Sequence, residues 1–165
     1  MTAAQSLLQT PESLHRGDLN SVADSLNAIL ADSYALFLKT KNFHWHVSGP
    51  HFRDYHLMLD DQATQILGTT DEIAERIRKT GGTTLRSIGD IARRQRIKDN
   101  DEHFVSPMEM LAELLLDNQG LALALHEAKL LVDNAGDNAT SGVLDNWTDL
   151  AEGRTWFLLA ASQEA

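Results

Sequence analysis

Four of the chain's seven histidines, His44, His46, His51 and His56, fall within thirteen residues, and Asp60 and Asp61 follow closely. Imidazole nitrogens and carboxylate oxygens together suit iron or zinc. On a helix His56 and Asp60, four apart, share one face, and so do Asp71 and Glu75. Asp60 and Asp71 are eleven residues apart, close to three whole turns, so both pairs lie on nearly one stripe. Eleven helical residues nevertheless span about 16 Å, whereas metal–ligand bonds are about 2.0–2.6 Å long. One ion cannot be held by both pairs of a single chain. Two copies of the helix lying antiparallel across a twofold axis near Gln65 and Ile66 would bring the pairs together, and symmetry would then make two identical sites per dimer. Gly68, costly inside a helix, would let the two backbones approach near that axis. His44, from the end of the preceding helix, would complete an oxygen-rich site with two imidazoles.

The same residues have a plainer reading. Acidic and polar side chains four apart also form ordinary solvated helix faces, and spacing alone leaves both readings open. No carboxylate pairs with His46 or His51, which read as core or interface residues. Glu12 and His15 have the Glu-x-x-His spacing of di-iron carboxylate proteins, but the pair occurs once, ahead of the first helix, and reads as coincidence. Trp45, Trp147 and Trp156 are most simply core or interface aromatics. The basic run Arg93-Arg94-Gln95-Arg96-Ile97-Lys98 is flanked by Asp90, Asp99, Asp101 and Glu102 and reads as a salt-bridged surface.

Composition narrows the chemistry further. At 165 residues the chain suits one domain with a real core. It has no cysteine, which removes disulfides, thiolate metal sites and thiol nucleophiles and leaves His, Asp and Glu as ligands. A net charge of −10 disfavours nucleic acid and attracts metal cations. With no basic n-region followed by an apolar run, and no apolar run of membrane-spanning length, a soluble cytoplasmic protein is expected.

Helical patterns position the candidate ligands. Residues 1–18, with Pro11, read as a loose tail, and 19–162 as the domain. Leu19, Val22, Leu26, Leu30, Tyr34, Phe37 and Leu38 predict a first amphipathic helix ending near Val47. Ser48-Gly49-Pro50 breaks it, and Pro50 is expected in the first turn of a second helix ending at Gly81-Gly82. A longer connection follows, with a short helix predicted at Ile88–Ile97. Ser106-Pro107-Met108-Glu109 combines an N-cap, Pro at N1 and Glu at N3 and starts a third long helix that continues to Val132. A fourth runs from about Thr140 to Ala161. Four long helices with one long central connection describe an all-α, ferritin-like four-helix bundle.

The motif Lys41-x-x-His44-Trp45-x-x-x-Gly49-x-x-Phe52, then His56-x-x-x-Asp60, then Asp71-x-x-Ala74-Glu75-Arg76 before Gly81-Gly82, resembles the signature of the Dps family, the mini-ferritins. Gly136-Asp137, Thr140, Leu144 and Trp156-Phe157-Leu158 extend the resemblance to the last helix. It implies a hollow shell of twelve identical subunits, an extra short helix between the second and third long helices, and ferroxidase sites shared across twofold axes. His44, His56 and Asp60 would be ligands from one subunit, and Asp71 and Glu75 from its neighbour. Lys41 would stand behind the ligands, and Trp45 beside them would intercept reactive oxygen species. The activity implied is oxidation of Fe(II), with hydrogen peroxide as the preferred oxidant, and storage of Fe(III) in the shell, which protects DNA from oxidative damage.

The chain departs from the family pattern in two places. His46 stands where Asn is usual, and Gly142 replaces an acid that lines a threefold pore in many relatives. Asp137, Asp145 and Asp149 are the nearby candidate pore acids. Direct DNA binding is not expected, because Met1 to Asn20 contains only Arg16 as a positively charged side chain, balanced by Glu12 and Asp18. The alternatives are a nucleoid-binding or structural shell with little ferroxidase activity, and a cage for zinc or another divalent metal.

Overall fold

The computed structural model describes residues 16–163, which form five helices and, among those residues, no strand. They are α1 (Arg16–His46), α2 (Phe52–Lys79), α3 (Ile88–Arg94), α4 (Pro107–Ala135) and α5 (Asn138–Ser162). Helix α1 is already in place at Arg16, three residues inside the segment read as tail. The remainder of that segment, with Glu12 and His15, lies outside the described residues.

Local sequence explains most boundaries. Gly49 takes φ 104°, a left-handed conformation that glycine accepts without steric cost, and turns the chain between α1 and α2. Pro50 lies in this turn rather than inside the helix, which begins two residues later behind His51. Ser106 and Glu109 make the expected reciprocal capping box: the Ser106 hydroxyl accepts from the Glu109 amide, and Glu109 accepts from the Ser106 amide. Helix α4 runs three residues past Val132 and closes on Gly136 at φ 73°. Helix α3 is shorter than predicted. Gln95 turns extended because the next two amides, of Arg96 and Ile97, donate to the buried Asp32 carboxylate on α1.

Helices α1 and α2 form one antiparallel hairpin and α4 and α5 another. The segment after α2 runs back along α1 with α3, so that α4 lies parallel to α2. This is the long crossover of a ferritin-like bundle. The core is continuous through both hairpins, with Leu26, Leu36, Leu59, Ile66, Leu114 and Leu144 fully buried. Polar struts tie the elements together. Lys39, almost wholly buried on α1, reaches Glu113 and Asp117 of α4, each at 2.8 Å. The basic run behaves as a salt-bridged surface, with Arg93 paired to Asp90 and Arg96 to Asp32. No helix among the described residues is long and apolar enough to cross a membrane.

Candidate metal centre

At the turn end of the α1–α2 hairpin two histidines interlock. His44 Nδ1 donates to the carbonyl of His56 at 2.8 Å, and His56 Nδ1 donates to the carbonyl of His44 at 2.9 Å. A carbonyl can only accept, so both Nδ1 atoms carry hydrogen, and Nε2 is left as the nitrogen of each ring not engaged by the backbone. The rings stack with centroids 3.8 Å apart and planes 19° from parallel, and the Phe52 ring lies tilted against His56 with centroids 5.0 Å apart. These backbone and ring contacts therefore fix tautomer and orientation together, as is usual for metal-ligating imidazoles.

Asp60 sits one turn beyond His56, and its carboxylate lies 4.0 Å from His44 Nε2. Lys41 holds it at 2.5 Å. That hydrogen bond, aided by the charges of Lys41 and the two histidines, keeps the Asp60 pKa below the ordinary carboxylate value against a smaller opposing effect of desolvation. The group is thus an anion, already paired with a cation that a stronger one could replace.

Asp71 and Glu75 are three and four turns further along α2, both exposed. Glu75 is 57% exposed and bonded to Lys79 at 2.8 Å, which lowers its pKa. The structure thus brings His44, His56 and Asp60 together and leaves Asp71 and Glu75 apart from them. Among the described residues, no group of three or more His, Asp or Glu side chains is gathered closely enough to hold an ion. Between the two halves the stripe continues with exposed Thr64, Leu67 and Gly68. A Cβ added at Gly68 would meet nothing within 4 Å, so nothing inside one chain requires glycine there.

The other candidates are dispersed. His46 bonds back to the carbonyl of Asn42, and His51 packs beside Tyr55 with ring centroids 5.7 Å apart. Trp45 is 57% exposed next to the site, and Trp156 is exposed on α5. Trp147 is buried and donates to Glu72 at 2.9 Å. Asp137 has structural work as the α5 N-cap: it accepts from the Thr140 amide and hydroxyl and pairs with Arg76 at 3.2 Å, all while buried. Its carboxylate is thus already paired within the chain. Asp145 is exposed and pairs with Lys129 at 2.9 Å, and Asp149 is exposed. The mutual locking of His44 and His56 through their own backbones had no signal in the sequence. It needs the hairpin register, which spacing does not supply.

Comparison with known proteins agrees with this architecture. Residues 23–164 match the ferritin family's Ferritin-like domain. The chain is 32% identical over 139 residues to the DNA protection during starvation protein of Brevibacillus brevis, covering 84% of this chain and 93% of that one. It is 29% identical over 147 residues to DNA protection during starvation protein 1 of Deinococcus radiodurans, covering 89% and 71%. The crystal structure of a Dps protein from Bacillus brevis superposes with a TM-score of 0.86 at 29% identity, covering 91% of this chain and all of that one. The chain belongs to the Dps family of ferritin-like proteins.

Proposed function

We propose that this chain is a mini-ferritin that oxidises Fe(II) and stores the Fe(III) product in a shell of twelve copies. The observation that carries the reading is the division of the ligand set. His44, His56 and Asp60 make half a site with two oriented imidazoles and a permanent anion, while Asp71 and Glu75 stand on the same stripe too far away to finish it. A second chain, antiparallel across a twofold axis midway along α2, supplies the missing carboxylates twice over.

Fe(II) is the substrate of this reaction. Two Fe(II) ions each give one electron to hydrogen peroxide, its O–O bond breaks, and with two protons the oxygens leave as two waters. Hard carboxylate oxygens favour the more highly charged product ion and so draw the oxidation forward. His44 and His56 hold position, and Lys41 yields Asp60 when iron arrives. Consuming iron and peroxide together avoids hydroxyl radical, and Trp45 beside the site is placed to intercept any that escapes. DNA is protected in this way by chemistry, without direct binding. Asp145 and Asp149 are the exposed acids left for drawing iron in. Zinc, which the same ligands accept, would compete for the site.

The test is anaerobic oxidation of Fe(II) by substoichiometric hydrogen peroxide, comparing the assembled wild type with an equally assembled Glu75→Ala shell. Fast wild-type oxidation leaving soluble ferric protein, with loss of that rate in the variant, is expected. Equal rates would remove the ferroxidase function from these ligands, and salt-dependent DNA retardation would then favour the nucleoid-binding alternative.

A further inference from the structure

We propose that the cleft between α2 and α5 is a second binding site, one for a small monocarboxylate with an apolar body, whose carboxylate is taken by Arg154 and Gln62. This site is separate from the iron-binding stripe, roughly 140° around α2 from it at 100° per residue.

The cleft has a volume of about 570 Å³, within the range of small-molecule sites. Met58, Leu150 and Phe157 give it apolar walls. Arg154 lines it at only 5% exposure. Its Nε donates to Asn118 Oδ1 and its Nη1 to Gln65 Oε1, both at 2.7 Å. Both acceptors are neutral amides, and Arg154 forms no ion pair within 4.0 Å with any described carboxylate. Burial lowers its pKa to about 10, which leaves the guanidinium charged at neutral pH. A buried cation bonded only to neutral groups retains most of its desolvation cost.

Gln62 supplies the second observation. It lines the same cleft at 6% exposure, and its side-chain Nε2 is buried with no hydrogen-bond partner. Buried amide donors are almost always satisfied, and one left open on a residue lining the same cleft as a cation without an ion-pair partner calls for an acceptor carrying negative charge. A carboxylate offers two such oxygens in one plane and forms strong charge-assisted bonds to a guanidinium.

The remaining lining sets the rest of the ligand. Asp61 and Asp149, both exposed, also border the cleft. They disfavour a dianion such as phosphate and tolerate a single negative charge neutralised at Arg154. The apolar walls give a carbon body its burial, and an ammonium beside the carboxylate would meet the two aspartates.

Calorimetric titration of the assembled, metal-free full chain at neutral pH tests this with three probes: phenylacetate, L-phenylalanine and inorganic phosphate. Saturable binding of at least one organic probe, at one per chain and more tightly than phosphate, is expected. Phenylalanine the tighter of the two would show that the aspartates recruit an ammonium, and phenylacetate the tighter that they do not; either order supports the site. Gln62→Leu should weaken binding at least tenfold. Arg154→Gln risks the fold, so Gly153→Leu is the second variant. A Cβ at Gly153 meets nothing within 4 Å, and the added side chain fills the cleft. Absence of saturable organic binding, tighter binding of phosphate, or affinity unchanged in both Gln62→Leu and Gly153→Leu overturns the proposal.

Discussion

The proposed sharing of the site between two chains makes a quantitative prediction about mixed shells. Consider one variant lacking His56 and Asp60, both changed to Ala, and another lacking Asp71 and Glu75, likewise changed. Each alone breaks one half of every site and is inactive. In a dimer of one of each, one site combines the two damaged halves and is dead. The other combines the two intact halves. Random reassembly at equal ratio makes about half of the dimers mixed, each with one of two sites restored, so about one quarter of wild-type sites return. The separation along α2 excludes any repair within a chain, because Asp60 and Asp71 are about 16 Å apart by helical rise. The assay is the initial rate of anaerobic Fe(II) oxidation by peroxide, with one variant isotopically heavy so that native mass spectrometry measures mixing. An activity near one quarter of wild type, scaling with the product of the two fractions, is the expected result. Well-mixed shells no faster than the parents would refute the intersubunit arrangement.

Further outcomes follow from individual contacts. Gly68→Leu should leave each subunit helical, since the single chain has room there, yet push the two α2 helices apart; light scattering should show smaller assemblies. Lys41→Met removes the hydrogen bond and charge that hold the Asp60 pKa down, so Asp60 protonates at higher pH and the acidic limb of the oxidation rate profile should move upward. Asp137→Ala should cost about 1–2 kcal/mol through the lost N-cap, read as a lower thermal midpoint at neutral pH. Burial works to raise the Asp137 pKa, but the Thr140 hydrogen bonds and Arg76 outweigh it and the net shift is downward. Its charged form therefore stabilises the fold above the unfolded value near 3.9. The difference between variant and wild type should narrow as pH falls below that value; a constant difference would show that the carboxylate charge contributes nothing.

The long helices were legible because their apolar residues repeat at three and four and their ends carry chemical punctuation. Ser106-Pro107-Met108-Glu109 foretold a capping box that forms in full. Pro50 misled by two residues, since proline suits a turn as well as a helix start and Gly49 had already bent the chain. The end of α3 was hidden because a buried aspartate sixty-four residues away in sequence, Asp32, captures the Arg96 amide. At the candidate site, spacing sufficed to put His56 with Asp60 and to keep Asp71 and Glu75 apart from them. It carried no sign that the first two histidines hold each other's backbones. The capping role of Asp137 also escaped it, because an acid next to a helix start has the same sequence appearance whether or not it caps.

The ammonium of Lys41 on Asp60 has a consequence for which ions the protein can meet without harm. Sodium and potassium vastly outnumber free iron in any cell, and a bare carboxylate beside two imidazoles would be open to them. If the proposed site takes metal, an arriving monovalent ion would have to evict from Asp60 a charge equal to its own, gaining no electrostatic advantage while giving up its hydration shell. A divalent ion gains a full extra charge from the same exchange, and a coordination bond from each waiting nitrogen. At the proposed site the occupied resting state would thus disfavour sodium and potassium by valence, before any difference in ligand preference comes into play.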